Sequence, residues 1–228
     1  MKRRDLALAA LGALLLALGG CNPFPATCRM RLTLVLDTPL GPRTGSSVIQ
    51  VTAREIIHFA GSNRFERDDR GQAVIIRVGD DVVFAVLEEG IGRTLIRASR
   101  SEDPTSENLL ADIRRVSAKA SDEPTYDLPK GDWPSLVRFA DRNVPESILP
   151  VCMNLRPEEQ DRGDSHGPCS IRIARATVVP TKDAVTTGML DYLPWLTTRH
   201  GSMKRGMSEA FMRPEQRLSD QNFLRNYR

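Results

Sequence analysis

The feature that most constrains the fold is a pair of alternating apolar segments joined by a short turn near the start of the chain. The stretch RLTLVLDT places Leu32, Leu34 and Leu36 on one face of an extended segment. After the turn TPLGPRTG, the β-branched run SSVIQVTAREIIHF continues from Ser46 to about Phe59. Two such segments around a Gly- and Pro-containing turn predict a hairpin or meander with one face packed on a core.

Similar patterns recur along the chain. QAVIIRV and DVVFAVLEEG flank Gly79-Asp80, which predicts a second hairpin, and their nearly continuous hydrophobicity indicates strands covered on both faces. SLVRFAD and ESILPVC predict a third hairpin, and CSIRIARATVVPT predicts a strand that ends at Pro180. The charged stretch from Gly61 to Gly71 predicts a loop.

Two segments have helical signals. Apolar residues at helical spacing predict a helix from about 106 to 119; they are Leu109, Leu110, Ile113 and Val116. AVTTGMLDYLPWL predicts a short helix of about two turns, capped by Thr186 or Thr187 and stopped by Pro194. The fold class expected is therefore α+β, mostly antiparallel β of meander or sandwich-like type, with one middle helix and a short C-terminal helix.

The N-terminus is typical of a bacterial lipoprotein signal. A basic start, MKRR, precedes an apolar run from Leu6 to Leu18 that is shorter than the about 20 residues of a membrane span. The run ends in LGGC, which resembles a lipobox and predicts cleavage before Cys21 and lipidation of its thiol. Residues 1–20 are then a signal peptide.

The remaining chain divides into three parts. Residues 21–30 are expected to be a lipidated tether, 31–198 a single β-rich domain, and 199–228 a polar, partly disordered tail. The lipid anchor makes the membrane the first partner, and an envelope protein a possible second one. Asn22 after the lipidated cysteine favours the outer membrane, facing the periplasm.

Charge and aromatic content argue against nucleic acid as a partner. The formal charge of the full chain is +3, and removal of the basic signal peptide leaves it near neutral. Nucleic-acid binding needs a concentrated basic patch. Aromatic residues make up 5% of the chain and form no stacking stripe.

The other cysteines fit an exported protein, because disulfides persist outside the cytoplasm. Cys152 and Cys169 bracket a polar stretch, and a bridge between them is predicted to contribute roughly 3 kcal/mol. Cys28 is then left over, either as a free thiol or as a small buried hydrophobe.

Candidate metal ligands are few, and neither a metal nor a cofactor is expected. Asp161, Asp164 and His166 lie close together in DRGDSHG and could hold a metal ion, although a solvated polar loop is the favoured interpretation.

The adjacent serines of TGSSV raise the question of a nucleophile. Ser46 and Ser47 lack the second glycine of a hydrolase elbow and lead into a strand. They are therefore interpreted as turn and strand residues, with Gly45 providing an unusual turn conformation.

A family of small uncharacterised exported proteins and lipoproteins of Gram-negative bacteria resembles this chain in four segments, in the same order: RLTLVLDTPLGPRTGSSVIQV, GQAVIIRVGDDVVFAVL, PSLVRFADRNVPESILPV and SIRIARATVVPTKDAVTTGMLDYLPWL. The elements are an RLTxxVxTPxGxxTGSSV-type hairpin at 31–48, a VRFxD segment at 137–141, and a terminal VTTG…LPWL at 185–196. The resemblance implies an exported β-rich fold and no particular chemistry. The region around Cys152 and Cys169 departs from the family pattern.

Neither the residues nor the resemblance identifies a reaction, so whether the chain is an enzyme stays open. The function expected is that of a lipid-anchored envelope protein acting as a non-enzymatic structural or interaction module. The alternative is an envelope enzyme or metal-dependent binding protein that uses the loop around His166.

Overall fold

Two antiparallel sheets and three α-helices make up the computed structural model, within the residues it describes: 25–57, 63–99, 109–121, 125–151, 170–198 and 218–225. The predicted fold class is confirmed, because the chain is α+β with mostly antiparallel strands in an open, sandwich-like arrangement. None of the described helices has the length and hydropathy that a membrane span requires.

The element bounds are as follows. The strands are β1 Ala26–Asp37, β2 Arg43–Ile57, β3 Asn63–Gln72, β4 Val74–Val78, β5 Asp81–Ala85, β6 Tyr126–Asp127, β7 Leu136–Phe139, β8 Ile148–Pro150, β9 Arg172–Pro180 and β10 Leu224–Arg225. The helices are α1 Ile91–Ala98, α2 Leu109–Ala118 and α3 Met189–Tyr192.

The larger sheet has six strands in the order β10-β3-β2-β1-β9-β6. Its centre is the predicted hairpin, with Leu32 opposite Ser47 on β2 and opposite Val178 on β9. Every second residue of β1 is buried, including Leu32, Leu34 and Leu36 at 0% exposure. The period-two pattern therefore gives the register, because a slip by one residue would expose the leucines.

The smaller sheet, in the order β4-β5-β7-β8, packs against a separate apolar cluster on each of its two faces. Val83 and Ala85 of β5 enter a core shared with the larger sheet and helices α1 and α2. Phe84 enters a second cluster that contains Phe139 and parts of the C-terminal region. The two hairpins predicted here are confirmed as β4–β5 and β7–β8. The expectation of strands covered on both faces is confirmed for β5, whereas Arg77 of β4 is exposed.

The middle helix is confirmed as α2, whereas α1 was not predicted. Helix α1 buries Ile91, Leu95 and Ile96, but it has only eight residues and follows Gly90 in the left-handed region at φ 83°. A helix of eight residues spans little more than two turns, which is too short to show a clear helical pattern in the sequence. Helix α3 is a single turn, and its N-cap is Gly188 rather than Thr186 or Thr187.

The stretch from Gly61 to Gly71, predicted to be a loop, instead contributes most of β3. Its charged side chains pair across strands, as in the ion pair between Arg54 on β2 and Glu66 on β3. Charged residues suit a strand near the edge of a sheet with one solvated face. Composition alone therefore misled the prediction.

Chain segments at both ends of the predicted domain take part in the fold. Strand β1 begins at Ala26, so residues assigned to the tether lie within the sheet. Residues 218–225, assigned to the tail, add β10 to the larger sheet and bury Phe223 completely. The carbonyls of Phe223 and Asn222 accept bonds from the Ala73 and Leu87 N–H groups, at 2.9 and 2.7 Å.

Phe223 lies within a cluster of aromatic rings on the outer side of the smaller sheet. Its ring centroid lies 6.0 Å from that of Phe84, 5.7 Å from Phe139 and 6.4 Å from Trp195. Edge-to-face pairs at such distances add to the burial of apolar area.

We therefore expect Phe223→Ala to lower the free energy of unfolding by about 3–5 kcal/mol, as for other buried phenylalanines. Urea denaturation followed by circular dichroism measures this. The matched control is Leu40→Ala, because Leu40 is 57% exposed and its loss should cost less than about 0.5 kcal/mol. Equal effects of the two substitutions would show that the segment 218–225 does not pack as described.

Candidate functional site

The outer face of the six-stranded sheet, opposite the core, presents polar side chains from four neighbouring strands. Ser46 on β2 lies opposite Thr33 on β1, and Thr33 lies opposite Thr177 on β9. Thr177 lies opposite Asp127 on β6. A row of three hydroxyls and one carboxylate thus crosses four strands, because residues in register across a sheet share a face.

Ion pairs flank this row. Arg31 pairs with Asp183, and Arg175 Nε lies 3.0 Å from Asp127 Oδ1. Arg172 Nε lies 3.2 Å from Asp37 Oδ2 at the far end of β1. These pairs are largely exposed, so each contributes at most about 1 kcal/mol to stability. They place charged donors and acceptors at the surface.

The chain crosses this face immediately after β9, in residues 181–188, which we call the crossing segment. Thr181 N–H donates to Arg29 O at 2.9 Å, and Arg29 Nη1 donates to the carbonyls of Lys182 and Asp183 at 3.2 Å each. Thr186 Oγ1 then accepts from Val48 N–H at 2.7 Å. The segment is thereby bonded to both β1 and β2.

These bonds join two of the sequence segments on which the predicted resemblance rests. Val48 ends the TGSSV motif, and Thr186 belongs to VTTG. Thr186 N–H also donates to Val48 O at 3.3 Å, so the segment pairs with β2 where β3 has left its edge. Thr186, one of the two residues predicted to cap α3, thus uses its hydroxyl to join the C-terminal region to the hairpin.

The two adjacent serines point in opposite directions. Ser46 is exposed in the hydroxyl row, whereas Ser47 is 1% exposed and donates to Gln72 O at 2.7 Å. Within the described ranges no imidazole or carboxylate hydrogen-bonds to either hydroxyl. The interpretation of both as structural residues agrees with this geometry.

Gly45 is required for a reason other than the predicted turn conformation. The positive φ in this turn belongs to Gly41, at 85°. A Cβ on Gly45 would lie 2.5 Å from Ile75 O and 2.6 Å from Ile76 Cγ1. Gly45 therefore allows β2 to approach β4 closely, which brings the two sheets together.

One carboxylate, Asp69 on β3, faces inward and is only 8% exposed. Its Oδ2 accepts from Gly92 N–H at 3.3 Å, at the start of α1, and Arg67 Nε lies 3.2 Å from Oδ1. Asp69 thus serves the helix N-terminus in place of a capping side chain, which Gly90 lacks. Burial raises the pKa of Asp69 from its ordinary value of 3.8, and the nearby Arg67 opposes that shift.

A shallow groove of about 330 Å³ lies at the start of β1, beside Cys28 and Lys182. Cys28 is 2% exposed, and burial, followed by the charge of Asp69, raises the pKa of its thiol to about 12. The thiol is therefore protonated at neutral pH and unsuited to nucleophilic chemistry. It is a free cysteine within the part of the chain described.

Several predicted sites fall outside the described residues. They are the signal peptide, Cys21, Cys152, Cys169, Asp161, Asp164 and His166. Within the ranges described, no cluster of His, Cys, Asp and Glu side chains could hold a metal ion.

Comparisons with family models, with curated proteins and with solved structures find no match. The resemblance to a family of exported proteins therefore stays a prediction.

The close approach at Gly45 can be tested by substitution. We expect Gly45→Ala to lower the free energy of unfolding by about 1–3 kcal/mol, because the new methyl group meets a backbone carbonyl. Gly131→Ala is the matched control, since a Cβ there meets nothing within 4 Å. Chemical denaturation of both variants measures the difference, and equal stability would contradict the packing of β2 on β4.

The raised pKa of Asp69 predicts a particular pH dependence. The folded state holds the proton of Asp69 more tightly than the unfolded chain, so its contribution to stability is full below pH 3.8. That contribution falls as pH rises from 3.8 to the raised folded value. We expect Asp69→Asn to lack this fall, which pH-dependent denaturation measures. Asp80→Asn, at an exposed turn, is the control and should retain the wild-type profile. Parallel profiles for wild type and Asp69→Asn would contradict the assignment.

Proposed function

We propose that the chain is a lipid-anchored protein of the cell envelope and acts as a non-enzymatic interaction module. Cys21 is the lipid attachment site, and Asn22 favours the outer membrane with the domain facing the periplasm. The contact surface for the partner is the outer face of the six-stranded sheet. The main support for the proposal is the lipobox-like sequence LGGC at 18–21, which lies a few residues before the sheet begins at Ala26.

The position of β1 relative to Cys21 supports a fixed orientation of the domain. Ala26 starts the strand five positions after Cys21. A lipoprotein with two or three acyl chains would be held stably, since each buried CH₂ contributes about 0.8 kcal/mol. The β1 strand, at about 3.3 Å per residue, then extends about 36 Å from its start towards the turn at Leu40.

The chemistry of the outer face supports binding of a polar partner. The row of Ser46, Thr33 and Thr177 offers hydroxyls that both donate and accept, and Arg31 and Arg175 offer charged donors. Surfaces of this mixed polar type provide specificity through hydrogen bonds and complementary charge.

The anchoring is tested by Cys21→Ser expressed in a Gram-negative host. We expect the variant to leave the membrane fraction and globomycin to cause the precursor of the wild-type protein to accumulate. Cys28→Ala is the matched control, because it removes a thiol inside the fold and should leave fractionation unchanged. Retention of Cys21→Ser in the membrane together with insensitivity to globomycin would contradict lipid anchoring.

The contact surface is tested by site-specific photo-crosslinking in intact cells. A photoreactive residue replacing Thr33, at the centre of the outer face, should yield a discrete adduct with an envelope protein. The same residue replacing Lys130, which is exposed on a different part of the domain, is the control. Adducts from position 130 with none from position 33 would place the partner elsewhere and overturn this part of the proposal.

A further inference from the structure

The groove at the start of β1 has a composition suited to an anion. Its volume is about 330 Å³, and none of the described residues that line it is acidic. Its walls include the hydroxyl-bearing Thr27 and Ser117, the cationic Arg29 and Lys182, and the buried Cys28 and Ala120. Hydroxyl donors and two cations, next to a small apolar patch, suit the binding of a phosphodiester group.

The cations of the groove differ from their neighbours on the same sheet. Arg31, Arg54, Arg172 and Arg175 each form an ion pair with a carboxylate. Among the described residues, no carboxylate lies within ion-pair distance of Arg29 or Lys182. Arg29 instead donates to the carbonyls of residues 182 and 183 and to Gln50 Oε1, which fixes its guanidinium beside the groove.

The groove also lies close to the proposed anchor. Five residues separate Cys21 from Thr27. Six extended Cα steps span at most about 22 Å, so an acylated Cys21 keeps the groove within reach of the lipid headgroups.

We propose that this groove binds the phosphate headgroup of an anionic phospholipid in the membrane that holds the anchor. This inference rests on the proposed lipidation of Cys21. Binding would hold the end of the sheet beside Arg29 and Lys182 against the membrane. It would direct the turn at Leu40 away from the membrane surface.

The experiment uses the full mature lipoprotein reconstituted into vesicles of phosphatidylcholine, with or without about one third phosphatidylglycerol. Amine labelling read by mass spectrometry gives the reactivity of Lys182, with Lys130 as the reference in the same molecule. We expect Lys182 to react several-fold more slowly in the phosphatidylglycerol vesicles and Lys130 to be unaffected. A salt concentration of about 1 M should abolish the difference, because the Debye length then falls to about 3 Å.

A matched pair of variants tests the groove itself. Ser117→Glu adds a negative charge to the lining at an exposed helical position and should remove the protection of Lys182. Ala111→Glu adds the same charge at another exposed position of α2 outside the lining and should preserve it. Both are chosen because neither side chain is buried, so folding should be maintained.

The outcomes separate the two proposals. A chain that does not partition into either kind of vesicle contradicts the lipid anchor itself. A chain that partitions but shows equal Lys182 reactivity in both vesicles overturns only the headgroup site. Equal protection by free glycerol phosphate in phosphatidylcholine vesicles would assign the groove to a dissolved phosphate compound and would also overturn the membrane version.

Discussion

The smaller sheet packs against a separate apolar cluster on each of its faces, and this double packing determines where the neighbouring elements lie. Val83 and Ala85 face the core shared with the larger sheet, while Phe84 faces the aromatic cluster. A strand with apolar side chains on both faces needs two separate covers. The six-stranded sheet covers one face. The C-terminal region, which follows β9 in the chain, covers the other face.

The crossing segment leads the chain from β9 to this second face of the smaller sheet. The chain leaves β9 at Pro180, crosses the outer face, bonds to Val48 through Thr186 and then starts α3 on the far side of the smaller sheet. Met189 N–H is held there by Gln72 Oε1 at 3.0 Å. The TGSSV and VTTG segments are thus two halves of one junction, which gives a structural reason for both motifs to occur in the same chain.

The elements predicted correctly from the sequence are those that their own residue pattern determines. The alternation in β1 and the Gly79-Asp80 turn are local signals, and both were correct because burial follows the pattern directly. Strand β3 and the burial of Phe223 depend on residues that are distant in the sequence. The polar composition of the two segments therefore did not predict them. The inward Asp69 could not be predicted either, because its role requires the N-terminus of α1 to meet β3.

Residues 218–225 cover the smaller sheet as part of one cooperative fold. Native-state hydrogen exchange tests it directly, because the amides of Ala73 and Leu87 have their partners in this segment, at Phe223 O and Asn222 O. If the segment is part of the core, both amides should exchange with nearly the same free energy as the Leu34 amide in β1. Rapid exchange of Ala73 and Leu87 while Leu34 stays protected would show that residues 218–225 do not belong to the cooperative fold.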